Sequence, residues 1–229
     1  MEDLEEEKLK KRKKKLIKIS IMLFVVIGVL FLLICAVVVF SVVNQPVEKP
    51  IIYLYPEQET EVTIKFTDTS KLTHTYPKYT NEGWNVLASQ NGDIVDLKTG
   101  RNLYSLYWES VNDKKLDMYR GFVVEGKDTI SFLEEKLALL GLTEREANEF
   151  IIYWLPLMED NKYNFVYFAT TEEVNEQMPI EVAPIPDTMI RIVMRFKPLN
   201  NYIKVEEQEI ITPQRNGFTL IEWGGTRYE

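Results

Sequence analysis

Twenty consecutive residues, Ile21 to Phe40, carry no charge and are almost all valine, isoleucine, leucine and phenylalanine. A helix rising about 1.5 Å per residue over that length covers roughly 30 Å, the thickness of a bilayer's hydrocarbon core. A core helix of a small domain keeps a polar stripe for solvent, and this run has none on any face. It reads as a transmembrane helix at 19–43, in contact with the lipid bilayer. Lys8, Lys10, Lys11, Arg12, Lys13, Lys14, Lys15 and Lys18 precede the run, whereas Lys49 alone follows it closely. Cations mark the cytoplasmic side, so the expected topology is single-pass in the cell membrane, with the N-terminus cytoplasmic and the C-terminal region extracytoplasmic. The run ends Val-Val-Val-Phe-Ser-Val-Val, without the small-x-small site of a cleaved signal peptide. Leu32-Leu33-Ile34-Cys35 faintly resembles a lipoprotein signal, but Ile34 is bulky there and the apolar run continues past Cys35.

The chain divides accordingly into a basic cytoplasmic tail (1–18), the transmembrane helix (19–43), a short proline-bearing linker (44–50) and an extracytoplasmic domain (51–229). A domain of that length can bury a core without disulfides or metals. Cys35 is the one cysteine, so the outer region has no disulfide, thiol nucleophile or cysteine metal site. Residues 1–43 carry a net charge of +3 and the remainder a net of −11. A surface with that surplus of carboxylates repels phosphate backbones, which argues against a nucleic-acid partner.

Ile51–Tyr55 is a β-branched and aromatic run between prolines. Glu61–Phe66 alternates apolar and polar residues with the period of a strand. Trp84–Ser89 and Asp93–Leu97 flank Asn91-Gly92, a pair suited to a tight hairpin turn. Leu103–Trp108 and Gly121–Val124 read as further strands. Ile130, Leu133, Leu137 and Leu140 share one helical face that Asp128 can cap and Gly141 can end. Thr143 and Glu146 have capping-box spacing before a second helix, with a stripe of Ala147, Phe150, Ile151, Trp154 and Met158; Pro156 should stop it near Leu155. Tyr163–Phe168, Met189–Lys197, Tyr202–Val205 and Phe218–Trp223 return to strand character. The expected fold class is α+β, a mainly antiparallel sheet with a helical hairpin, preceded by one transmembrane helix. It forms one domain, or two subdomains divided near residue 126.

No catalytic or metal motif is specific enough to name a reaction. His74 is the only histidine, and neither a zinc-ligand spacing nor a Gly-x-Ser-x-Gly turn accompanies it. Asn91-Gly92-Asp93 with Asp96 is a fragment of a calcium loop that a hairpin turn explains better. No metal and no cofactor are expected. Glu109 and Glu222 adjoin Trp108 and Trp223, and glycosidases need two carboxylates across a cleft, with aromatics to raise a carboxyl pKa and stack on sugars. Arg191, Arg195 and Lys197 fall on one face of a strand, where they can grip an anion or pair with acids on neighbouring strands. His74, Tyr107, Trp108, Glu109, Asp187, Arg191, Glu222 and Trp223 hold most of the versatile groups. If the sheet gathers their ends on one edge, at least four should line one solvent-reached cavity suited to a sugar or peptide.

Five phrases together carry a resemblance. They are Lys49-Pro-Ile-Ile-Tyr-Leu-Tyr-Pro-Glu57, Leu72-Thr-His-Thr-Tyr-Pro77, Leu106-Tyr-Trp-Glu109, Pro186-Asp-Thr-Met-Ile-Arg191 and Gly217-Phe-Thr-Leu-Ile-Glu-Trp-Gly-Gly225. The stretch from about residue 49 to 225 resembles an uncharacterised family of membrane-anchored or secreted bacterial proteins, mainly Gram-positive. The resemblance implies one intact outer domain and transfers no catalytic residue. The leading expectation is a non-enzymatic binding or interaction domain at the cell envelope, with an envelope polymer or protein as partner. The alternatives are an envelope hydrolase using paired carboxylates and an accessory subunit of a membrane complex.

Overall fold

The computed structural model describes residue 12 and residues 18–35, 45–112 and 115–228. The expected basic tail, apart from Arg12 and Lys18, and the later part of the expected span, 36–43, lie outside the described residues. The chain separates into two compact units that divide after Asn44. In the first, helix α1 (Lys18–Cys35) is the one helix among the described residues long and apolar enough to cross a membrane.

The second unit is α+β with mainly antiparallel sheets. Its strands are β1 (Gln45–Tyr55), β2 (Thr60–Phe66), β3 (Leu72–Tyr76), β4 (Trp84–Ala88), β5 (Ile94–Asp96), β6 (Asn102–Leu103), β7 (Leu106–Asn112) and β8 (Arg120–Glu125). Helices α2 (Thr129–Leu139) and α3 (Glu144–Met158) follow. Then come β9 (Tyr163–Ala169), α4 (Thr171–Gln177), β10 (Ile180–Ala183), β11 (Thr188–Leu199), β12 (Glu206–Glu207) and β13 (Thr219–Arg227). Eight strands form one sheet in the order β12-β8-β9-β11-β13-β1-β7-β3, and five form a smaller sheet in the order β10-β2-β4-β5-β6.

Both faces of the large sheet are covered. On one, α2 and α3 place Leu133, Leu137, Phe150, Trp154 and Met158 against Ile51, Tyr53, Val166, Phe168, Ile192, Phe196 and Trp223. On the other, the small sheet packs Val62, Ile64, Phe66, Trp84 and Val86 against Ile52, Leu54, Leu106, Trp108 and Leu220. α4 extends that second cover with Val174, which packs with Val47, Ala169 and Val193. Consecutive residues on a strand point to opposite faces, so a central strand between two cores is buried throughout. That is why β11 shows no solvent face from Ile190 to Phe196.

Several boundaries differ from the sequence reading. From Gln45 onward the expected linker is strand: β1 pairs with β7 from Gln45↔Asn112 and reaches the long run through a bulge between Glu48 and Ile51. Lys49 takes a φ of 53° in that bulge, a left-handed conformation uncommon outside glycine. The expected strand Leu103–Trp108 breaks at Tyr104–Ser105, where the chain crosses from the small sheet to the large one. α3 runs past Pro156 to Met158, because the exposed proline sits in the last turn while Met158 is fully buried beyond it. Residues 202–205 are not strand; only Glu206–Glu207 pair, with Arg120 and Gly121.

Candidate functional site

The eight residues singled out from the sequence fall in several different places. Trp108 belongs to the core between the sheets and Trp223 to the core under the helices. Asp187 ties a loop, its Oδ2 accepting the Phe218 N–H at 2.7 Å. Arg191 and Glu222 are cross-strand partners and almost wholly buried. Arg191 Nε and Nη2 donate to the two Glu222 oxygens at 3.0 and 3.1 Å. Nη1 donates to Asn175 Oδ1 at 2.7 Å and to the Met178 carbonyl at 2.8 Å. Every strong group there is matched within the protein, so the pair is a structural element of the second core. The expected gathering of at least four of them in one solvent-reached cavity does not occur, because Trp108, Arg191, Glu222 and Trp223 are buried and Asp187 is tied to Phe218. The carboxylate pair suggested for a hydrolase is also separated: Glu222 shares a face with its partner Ile52 and with Leu106 opposite that, whereas Glu109 points to the other face.

Three of the eight do come together. β7 and β3 lie beyond β1 at the end of the large sheet, past the residues that α2 and α3 cover. On that shelf, Glu109 Oε2 lies 3.1 Å from Nδ1 of His74, whose side chain is 70% exposed. Glu109 also accepts a hydrogen bond from the Tyr107 hydroxyl. Burial, and then this carboxylate, push the Tyr107 pKa well above the usual phenol range.

Residues the sequence reading passed over complete the arrangement. Tyr153 stands on α3 and donates to Glu48 Oε2 at 3.2 Å. Lys49 Nζ lies 4.8 Å from the centre of the Tyr153 ring. Burial and the charge of Glu48 push Tyr153 up to about 12, with Glu109 adding to the effect. One helical turn before Tyr153, Glu149 accepts the Tyr53 hydroxyl at 2.7 Å, and Arg145 one turn earlier lies over the Tyr104 ring at 5.9 Å. The i, i+4, i+8 spacing of Arg145, Glu149 and Tyr153 puts all three along one helical edge. Glu48 and Lys49 fall in the segment that reads as linker, and only the bulge of β1 brings them to the shelf. Tyr153 carried a usable signal: it lies off the apolar stripe of α3, where a tyrosine has a wet hydroxyl.

No family model, curated protein or solved structure matches this chain.

The shelf thus combines Tyr76, Tyr104, Tyr107 and Tyr153 with Glu48, Glu109 and Glu149, and with Lys49, Arg145 and His74 at its margins. Tyr76 and Tyr104 are about half exposed. Tyrosines that stay protonated against neighbouring carboxylates are fixed donors, and their rings are flat apolar surfaces. Such a surface can stack on a sugar or peptide while carboxylates take its hydroxyl or amide protons.

Proposed function

We propose that this protein is a single-pass membrane protein whose outer domain is a binding module for a polar envelope ligand, a glycan first of all, held on the tyrosine–carboxylate shelf. The observation that carries this reading is the shelf itself: phenols and carboxylates are set side by side on the strands past the helical layer, with His74 and Tyr76 open to solvent. The basic residues before α1 favour a cytoplasmic N-terminus, and the net of −11 outside keeps the domain soluble beside an anionic membrane. The resemblance to bacterial membrane-anchored proteins agrees with a cell-envelope location.

Two experiments test this. Protease added to intact protoplasts should digest the region after residue 44 and spare the tail before α1; protection of the outer domain would overturn the topology. Full-length protein in nanodiscs should retain soluble wall-glycan fragments, and Glu109→Gln or Tyr153→Phe should weaken retention about tenfold each, the scale of one lost charge-assisted hydrogen bond. Equal retention by wild type and both variants would exclude the shelf as the contact surface.

A further inference from the structure

A second opening lies at the opposite end of the large sheet. β12 pairs with β8 only at Arg120 and Gly121. The next residues, Phe122 to Glu125, have β9 on one side and no strand on the other among the described residues. The outward backbone groups can be identified. Tyr119 and Gly121 carbonyls already point outward, accepting from Glu206 N at 2.9 Å and Gln208 N at 3.3 Å. Outward groups recur every second residue, so the N–H and C=O of Val123 face out next.

An unpaired edge is usually blunted by the fold. Here it is blunted at one end only. Where the pairing of β8 with β9 stops, beyond Phe122↔Val166, the Gln208 side chain takes the place of a strand: its Nε2 donates to the Phe168 carbonyl at 2.7 Å and its Oε1 accepts the Phe168 N–H at 2.9 Å. Past Gly121 the edge opens into a groove of about 570 Å³, within the range of ligand sites. Its floor is Gly121–Glu125, one wall is α2 and the other is the segment with Tyr202, Val205 and Glu207. Glu125, Asp128, Glu135 and Glu207 line it with one lining cation, Lys136; Lys136 lies 2.9 Å from Glu135 and Lys127 2.7 Å from Glu125, so Asp128 and Glu207 carry the surplus charge. Tyr163 and Tyr202 meet edge-to-face at its end, 6.0 Å apart.

We propose that the open edge of β8 takes an extended, lysine- or arginine-bearing peptide as an added strand. Val123 supplies the backbone hydrogen bonds, Asp128 and Glu207 meet the cationic heads, and Phe132, Val205 and Tyr202 receive the aliphatic stems. The surplus of carboxylates decides the occupant. A second copy of this chain pairing edge to edge would set two such acidic grooves against each other, and like charges there disfavour it.

The test uses the full-length chain in nanodiscs and a blocked pentapeptide of alternating lysine and valine. Two controls accompany it: the same peptide with glutamate for lysine, and one N-methylated on alternate amides. Hydrogen exchange read by mass spectrometry should slow across 121–125 with the lysine peptide. The glutamate peptide should bind at least about tenfold more weakly, the N-methylated one should give no protection, and Asp128→Lys with Glu207→Lys, both at exposed positions, should weaken the lysine peptide at least about tenfold. Glu109→Gln on the shelf should leave it unchanged, which separates this proposal from the glycan reading. Equal binding of lysine and glutamate peptides overturns the proposal. So does protection confined to other segments, or protection of β8 that rises with protein concentration in the absence of peptide.

Discussion

Glu222 shows what a carboxylate beside a tryptophan in sequence does not mean. Neighbours on a strand point to opposite faces, so Glu222 and Trp223 enter different cores, and Trp108 enters the core between the sheets while Glu109 faces the shelf on the other side. An aromatic meant to lie beside a strand carboxylate stands two residues away or on another element, which is how Tyr107 reaches Glu109. In its own core Glu222 balances a guanidinium fully shielded from bulk solvent. Removing one partner of such a pair leaves an uncompensated charge, whereas replacing both by apolar groups is often close to neutral. Glu222→Gln is therefore expected to lower stability by about 3–5 kcal/mol. Arg191→Met combined with Glu222→Leu should recover most of that loss, short of full recovery because Asn175 and the Met178 carbonyl lose their donor. Urea unfolding of the three proteins decides it. A single variant as stable as wild type would show that the pair contributes little.

The elements that sequence patterning revealed are those whose periodicity survives folding. Glu61–Phe66 keeps its buried Val62, Ile64 and Phe66, Asn91-Gly92 turns the β4–β5 hairpin with Gly92 at a φ of 86°, and Thr143 with Glu146 forms the capping box of α3. α4 was illegible because a seven-residue helix that fully buries only Val174 has no stripe to detect, although Thr170 and Glu173 carry the capping-box spacing. The shelf was half legible for a related reason. His74, Tyr107 and Glu109 stood out as chemistry, but Glu48 joins them only through a bulge whose geometry no local pattern announces. The Trp-Gly-Gly phrase acquires its meaning at this scale too. A Cβ on Gly225 would stand 2.5 Å from Trp154 Cζ2, so the glycine is where α3 seats on β13. Gly225→Ala is expected to cost about 1–3 kcal/mol, the usual range for overpacking. Trp154→Phe removes the ring atoms that clash, so the double variant should lose less than the sum of the two single losses. Strict additivity in denaturant unfolding would mean that the helix does not rest on the glycine.

For the molecule as a whole, the phenols dictate how it should fail in alkali. Tyr53, Tyr55, Tyr107 and Tyr153 are all raised above the unperturbed value of 10.0, first by burial and then by glutamates: Glu149 for Tyr53, Glu146 for Tyr55, Glu109 for Tyr107 and Glu48 for Tyr153. The folded state therefore holds these protons more tightly than the unfolded chain does. Stability from this source is complete below about pH 10 and falls as pH rises, because the unfolded chain releases protons that the folded one retains. The loss begins near the unfolded value and continues through about 12, where Tyr153 titrates, with the other three ionising later still. These tyrosines link β1, β7 and α3, so their ionisation should undo the junction of sheet and helices cooperatively. Tyrosinate absorbance and far-UV dichroism, followed together from about pH 9 upward, should show an early rise from exposed phenols with the fold intact. A second rise should coincide with loss of secondary structure. Tyr153→Phe deletes one raised phenol and should shift the second transition to higher pH, once its lost bond to Glu48 is accounted for at neutral pH. Tyrosines that all ionise near 10 in a protein that stays folded would disprove the packing described for this junction.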